Sequence, residues 1–225
     1  MLLRFAFSVL TAFLSTTPVS ATVLQIDFSG VIDEVSDGAA NPLFQGTIAV
    51  GTPFSGQLLY DDALAPSATT PSTALHDVLT PPGSFVAALA GYAMQAGALA
   101  LPGDPAGYVI RLQNDVGDAY GASADADVTS GSFGGSGSLA NIAFSILLED
   151  YVTSTALSST LLADASLDLG DWVTARFAFE VVDSSFDFAT ARGPITSLTV
   201  TTVPEPATAL LLAMGCAAIG LQRRI

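Results

Sequence analysis

Apolar and polar residues alternate with a period of two along most of the chain. In Val23–Phe28, for example, Ile26 and Phe28 fall on one face, whereas Gln25 and Asp27 fall on the other. This alternation predicts a β-strand with one buried face. We expect further strands in seven similar segments: Phe44–Val50, Phe54–Tyr60, Phe85–Gln95, Tyr108–Gln113, Ser138–Glu149, Val173–Val182 and Ile195–Val203.

Clusters of glycine, proline and small polar residues separate these segments, as in Pro81–Gly83 and Gly134–Gly137. Many short strands with such turns predict an all-β fold, and we expect an antiparallel β-sandwich of jelly-roll type. Two segments favour helix more than the others: Leu75–Leu79 is predicted as a short turn, and Ala87–Ala100 as strands or a brief helix. Residues 22–202 are enough for one domain.

The N-terminal segment has a different pattern. Residues 1–21 contain one charge, at Arg4, an apolar stretch over Phe5–Leu14, and small residues at Val19-Ser20-Ala21. These features predict the helix of a secretory signal peptide that signal peptidase removes after Ala21. An uncleaved anchor is the alternative, but the apolar stretch is short for one.

The C-terminal segment, residues 203–225, also differs from the body. Val203-Pro204-Glu205-Pro206 precedes an uncharged apolar run, Ala207–Leu221, and two arginines follow it. As a helix this run would rise about 22 Å, which is short for a hydrocarbon core of roughly 30 Å. We therefore expect a short transmembrane helix with weak retention. The arginines should stay in the cytoplasm, so that the body is exported. An ordinary C-terminal anchor is the alternative.

The order of these three parts resembles the PEP-CTERM sorting signal of exported Gram-negative proteins. The resemblance implies a processing motif, Val203, Pro204, Glu205 and Pro206, that an exosortase-type membrane peptidase reads, and a basic stop at Arg223 and Arg224. It further implies a non-enzymatic surface or extracellular-matrix protein, associated with exopolysaccharide or biofilm. Such a protein is anchored in the membrane transiently before it reaches the cell surface or the medium.

Three segments of the body are similar to stretches of the same exported proteins: Ile26–Ile32, Gly51–Asp61 and Gln113–Asp118. This likeness implies a sandwich whose first and last strands pair. It implies no established activity.

The charge balance excludes one class of partner. Residues 22–202 contain 20 acidic residues and 3 arginines but no lysine, a net charge of −17. Nucleic acid binding needs cations that neutralise phosphates, so it is excluded. The single cysteine, Cys216, lies in the C-terminal segment, so the body has no disulfide and no thiol chemistry.

Candidate catalytic groups are few, and we expect no enzyme. His76 is the only histidine; without a recognisable nucleophile motif it is interpreted as a surface residue. A glycoside hydrolase, the less favoured alternative, would need two facing carboxylates. The candidate pairs are Asp61 with Asp62, Glu149 with Asp150, and Asp125 with Asp127.

Three binding functions remain as alternatives. A carbohydrate-binding module would need exposed rings among Trp172, Tyr92, Tyr108, Tyr120 and Tyr151. Calcium is the only cofactor considered, at Asn114, Asp115 and Asp118 in a glycine-containing turn, although a turn that satisfies its own backbone explains these residues as well. An ice-binding face would use Thr196, Thr199, Thr201 and Thr202, which form no repeat.

Overall fold

The structure, a computed structural model, describes residues 22–38, 42–79, 83–96, 107–130, 133–134 and 139–203. Within these residues the chain forms twelve β-strands and two short 3-10 helices, Leu162–Asp164 and Leu169–Asp171. The strands are β1 (Val23–Val31), β2 (Glu34–Asp37), β3 (Pro53–Asp61), β4 (Ala68–Thr70), β5 (Thr73–Val78), β6 (Ser84–Leu89), β7 (Tyr92–Ala96), β8 (Tyr108–Gln113), β9 (Asp118–Ser130), β10 (Leu139–Asp150), β11 (Thr174–Asp183) and β12 (Phe188–Val203).

Eight of the strands close into an antiparallel barrel. Their order around the barrel is β10, β11, β12, β1, β3, β6, β7 and β9, and the pairing of β9 with β10 completes the ring. Strands β8, β5 and β4 extend from β9 as a side sheet, and β2 pairs with β12. The pairing of the first and last strands, which the resemblance implied, is present between β1 and β12.

The prediction of a jelly-roll-like β-sandwich is therefore wrong. Strand β9 pairs with β8 and β10 through its first half, and with β7 through its second half. Strand β12 pairs with β11 over residues 188–194, and with β1 over residues 195–203. Each of these two long strands thus pairs with different neighbours along its two halves. The strands therefore form one closed wall and not the two separate sheets of a sandwich. Period-two alternation shows only that one face of each strand is buried, and this is true of sandwiches and barrels alike.

The two predicted terminal helices concern residues that lie outside the described ones, apart from Val203 at the end of β12. In the described part of the chain we find no α-helix, and no helix with the length and apolarity that a membrane crossing requires. The predicted strand at Phe44–Val50 is wrong, because this segment forms turns. The carboxylate of Asp37 accepts hydrogen bonds from the backbone N–H groups of Leu43 (2.9 Å) and Phe44 (2.8 Å), which holds the segment in its turns.

Two other predictions differ from the structure. Leu75–Leu79 was expected to be a turn, but most of it belongs to β5, where Ala74, His76 and Val78 alternate inward. Phe85–Gln95 is a hairpin rather than one strand. Its turn is at Ala90 and Gly91, whose φ angles are 52° and 87°.

Aromatic rings fill the barrel interior. The Phe85 ring contacts those of Phe144, Tyr108 and Phe28, with centroid distances of 4.3, 5.6 and 6.2 Å. Phe177 contacts Phe28 as well, at 6.1 Å. All five rings are buried. Since they project from β1, β6, β10 and β11 of the barrel and from β8 of the side sheet, the core joins strands that are not neighbours in the wall.

Candidate functional site

An open groove of about 590 Å³ crosses the outer surface of the barrel. We call it the outer groove. Its walls are the solvent-facing residues of five adjacent strands, β12, β1, β3, β6 and β7. Among its lining residues are Asp27, Ser29, Ser55, Gln57, Val86, Ala88, Ala93, Gln95, Ser197 and Thr199.

The strand register arranges these residues in two rows that run across the strands. Cross-strand pairing places one row in the order Thr199, Asp27, Gln57, Val86 and Gln95. The second row, two residues further along each strand, is Ser197, Ser29, Ser55, Ala88 and Ala93. Directly opposed side chains in an antiparallel sheet have Cβ atoms about 5 Å apart. The groove therefore presents two parallel lines of mostly small polar side chains.

A carboxylate is held in the first row by two amides. Gln57 Nε2 donates a hydrogen bond to Asp27 Oδ1 at 2.9 Å, and Gln25 Nε2 donates one to Asp27 Oδ2 at 2.8 Å. Each carboxylate oxygen has more than one acceptor position, so Asp27 can still accept further bonds. Both amide carbonyl oxygens are acceptors too. The result is a pre-oriented polar group at the groove.

The groove floor depends on a close approach to Gly56. A Cβ atom built on this residue would lie 2.1 Å from Cζ of Phe28 and 2.6 Å from the carbonyl oxygen of Val86. The Phe28 ring therefore covers the glycine on the inner side of the sheet. Strand β3 carries Ser55 and Gln57 on its outer side, and its pairing with β1 has no register shift.

We predict that Gly56→Ala lowers the free energy of unfolding by about 1–3 kcal/mol, because the added methyl group must displace a packed ring or a strand. Urea unfolding followed by circular dichroism measures this. Gly121→Ala, also in a strand, is the control. A Cβ atom built on Gly121 would lie 3.5 Å from its nearest neighbour, Cδ1 of Leu147, so no loss of stability is expected. Equal effects of the two substitutions would contradict the packing argument.

Among the described residues that line the groove, Asp27 is the only charged one, and none is an arginine, lysine or histidine. The arginines of the described body lie elsewhere. Arg176 Nη2 is 2.7 Å from Asp33 Oδ1, and Arg192 Nη2 is 3.2 Å from Glu180 Oε1. Arg111 donates to Gln113. The groove is thus unsuited to anionic ligands.

His76 is buried, so its interpretation as a surface residue is wrong. Its Nδ1 lies 2.9 Å from the carbonyl oxygen of Leu64, and its Nε2 lies 3.3 Å from that of Thr160. Both ring nitrogens thus face backbone acceptors. The imidazole holds two loops against β5, and a role as general base would require these contacts to break.

The predicted carboxylate pairs do not form a catalytic cleft. Asp150 is buried and accepts hydrogen bonds from the hydroxyl and backbone N–H of Thr153 and from the N–H groups of Val152 and Thr155. These bonds, chiefly those of Thr153, hold the pKa of the Asp150 carboxyl well below its usual range. Its neighbour Glu149 points to the opposite face of β10.

The other two pairs also lack a shared pocket in the described residues. Asp61 Oδ1 accepts the N–H of Ala63, and Asp62 Oδ1 accepts that of Thr22, so both carboxylates stabilise the end of β3. Asp125 is exposed on β9. The side chain of Asp127 lies outside the described atoms.

The aromatic residues considered for sugar stacking are mostly in the core. Trp172, Tyr92, Tyr108 and Tyr120 are buried, and only Tyr151 of this set is exposed, at 60 %. An aromatic platform built from several of these rings is therefore absent. The threonines considered for ice binding do not share one face either, because Thr199 and Thr201 oppose Asp27 and Gln25 whereas Thr202 opposes Leu24.

Two of the predicted calcium ligands bind one backbone segment. Asn114 Nδ2 donates to the carbonyl oxygen of Leu157 at 3.3 Å, and Asp118 Oδ2 accepts the N–H of Leu157 at 2.9 Å. Asp118 is buried, and Asp115 is exposed. Among the residues that the structure describes, no group of three or more His, Cys, Asp or Glu side chains could hold a metal ion.

The predicted processing motif is described only at its first residue. Val203 ends β12 and pairs with Val23 of β1. Pro204, Glu205, Pro206, Arg223 and Arg224 lie outside the described residues, as does the predicted signal peptide, residues 1–21.

The groove was not predicted from the sequence, although the alternation in β1 correctly placed Gln25 and Asp27 on the polar face of this strand. What was missing was the register that sets Asp27 beside Gln57 and Ser29 beside Ser55. No family model matches the chain, and neither the curated proteins nor the solved structures include a significant match to it.

Proposed function

We propose that this chain is the precursor of an exported, non-enzymatic protein of the cell surface or extracellular matrix, of the PEP-CTERM kind. Signal peptidase removes residues 1–21, and residues 203–225 hold the body at the membrane transiently. An exosortase-type peptidase then reads Pro204, Glu205 and Pro206 and passes the body to the surface or to an exopolysaccharide matrix. Acidic side chains keep the body soluble there.

The observation that carries this proposal is the pairing of the first and last strands. Val23 lies opposite Val203, so the two ends of the body lie side by side at one end of the barrel. The N–H of Thr22 donates to Asp62 Oδ1 at 2.9 Å, which anchors the start of the body at the same end. One end of the barrel can thus face the membrane while the remainder extends away from it.

The proposal of a non-enzymatic body has support from the candidate catalytic groups. The two ring nitrogens of His76 lie within hydrogen-bonding distance of backbone carbonyl oxygens, and Asp150 accepts hydrogen bonds from backbone N–H groups of the loop that follows it. They have structural roles, and neither lines the outer groove. Calcium at Asn114, Asp115 and Asp118 stays a prediction; its support is Asp118 Oδ1, a buried atom without a hydrogen-bond partner among the described residues.

Intact mass spectrometry of the protein produced in a Gram-negative host with an exosortase tests the proposal. We expect a form that begins at Thr22 and lacks Arg223 and Arg224. A double variant, Pro204→Ala with Pro206→Ala, should keep the arginines and stay in the membrane fraction. Recovery of the wild-type chain from the cytosol with both ends intact would contradict the proposal.

The control is Pro71→Ala, which changes a proline in the exposed turn between β4 and β5. This variant should be processed like the wild type. If it accumulates in the membrane as the double variant does, the defect reflects folding rather than recognition of the motif.

A further inference from the structure

We propose that the outer groove binds a neutral, hydroxyl-rich glycan segment. This inference goes beyond export and sorting and does not depend on them, because it concerns the barrel surface alone. It also differs from a stacking platform, since none of the aromatic rings considered from the sequence reaches the solvent side of the groove.

Hydrogen-bonding capacity is the first argument. A sugar hydroxyl is both a donor and an acceptor, so its site needs both kinds of partner. Asp27 supplies carboxylate acceptors whose direction is fixed by Gln25 and Gln57. Gln57, which lines the groove, retains a carbonyl oxygen and a second N–H, and serine and threonine hydroxyls line the two rows. Bonds to a charged acceptor are stronger than neutral ones.

The shape of the groove is the second argument. Its volume of about 590 Å³ lies within the usual range of small-molecule sites. The side chains of Ala88 and Ala93 are small, and Val86 adds an apolar patch beside Gln57. A pyranose ring has apolar C–H faces and polar edges, so a surface with both characters fits it.

The charge of the groove is the third argument. Asp27 is the only charged residue in the part of the lining that the structure describes, and the body as a whole carries a net charge of −17. Phosphates, carboxylates and sulfated or uronic sugars would be repelled, because no cation offsets their charge. A neutral ligand has no such penalty. Without aromatic stacking we expect weak binding, with a dissociation constant of about 1 mM at one site. Polymers should be retained more strongly, because they can bind through several sites at once.

The test is affinity electrophoresis of the full chain in native gels that contain dextran, galactomannan or a neutral β-glucan, with alginate as the anionic probe. We expect retardation by at least one neutral polymer and none by alginate. Asp27→Asn keeps the shape but removes the charge, and Ser55→Ile fills the groove. Each substitution should raise the dissociation constant obtained from the retardation at least about tenfold, because it removes a charge-assisted hydrogen bond or blocks access to the groove.

The matched controls are Asp125→Asn and Ser123→Ile, which make the same changes at exposed positions of β9 outside the groove. They should bind like the wild type, and circular dichroism should show all four variants folded. The proposal is overturned if no neutral polymer retards the protein, if alginate retards it equally, or if the groove variants bind like their controls.

Discussion

Phe85→Ala is expected to lower the free energy of unfolding by about 3–5 kcal/mol, which is the usual cost of removing a buried aromatic ring. Phe85 projects from β6 and contacts rings on β1, β8 and β10. It is 1 % exposed. The cavity would open at the point where opposite walls of the barrel meet, so the neighbouring rings could not close it without moving whole strands. Urea unfolding at neutral pH measures the loss.

Phe186→Ala is the matched control for this prediction. Phe186 is in the turn between β11 and β12, is 88 % exposed and has a φ of 63°. Its replacement should change stability by less than about 0.5 kcal/mol, as is usual at the surface. A loss for Phe85→Ala no larger than that of the control would show that the aromatic cluster does not hold the barrel together.

Raising the pH above 10 is expected to unfold the protein steeply. Tyr60, Tyr108 and Tyr120 are buried in the hydrophobic core. Burial raises the pKa of Tyr60 to about 12, and burial also raises the pKa of Tyr108 and of Tyr120. The unfolded chain ionises its tyrosines near pH 10, while the folded chain keeps these protons. The stabilisation is therefore complete below pH 10 and is lost as the pH rises towards the folded-state values.

The size of this effect follows from proton linkage. Each retained proton costs about 1.4 kcal/mol of stability per pH unit above 10, so three tyrosines give about 4 kcal/mol per unit. The free energy of unfolding of a domain is about 5–15 kcal/mol, so unfolding is expected within a few pH units above 10. Circular dichroism and the absorbance of tyrosinate should report one shared transition. The chain has no lysine, so no ammonium group of a side chain titrates in the same range.

Substitutions separate the tyrosine effect from general alkaline damage. Tyr120→Phe should reduce the pH slope by about a third, because it removes one of the three buried hydroxyls. Tyr151→Phe, at an exposed position, should leave the slope unchanged. Equal slopes for all three proteins would contradict the assignment to buried tyrosines.

Local sequence predicted several strands well where large apolar residues alternate with polar ones. In Tyr108–Gln113 and Val173–Val182, bulky side chains alternate, and the structure has β8 and β11 there. Strand β9 was missed as a full element, because its inward residues after Tyr120 are alanines such as Ala122 and Ala124. Alanine gives little hydrophobic contrast and has a low strand propensity, so tertiary pairing decides its conformation.

The candidate site was harder to predict than the strands. The polarity of Asp27 and Gln57 is visible in the sequence, but their contact depends on the pairing of β1 with β3. A shift of one residue would turn each side chain to the opposite face. His76 shows the same limit, because its carbonyl partners at Leu64 and Thr160 are 12 and 84 residues away in the chain.

The sequence by itself determined the all-β character and the acidic body without lysine, because these are local or compositional properties; the export signals stay a prediction. Only the tertiary structure decided that the strands close into a barrel, that His76 and Asp150 are buried in structural roles, and that polar residues of five strands form one groove. The physical reason is that closure and register depend on which distant strands pair. Alternation within a strand is the same whichever partner it has.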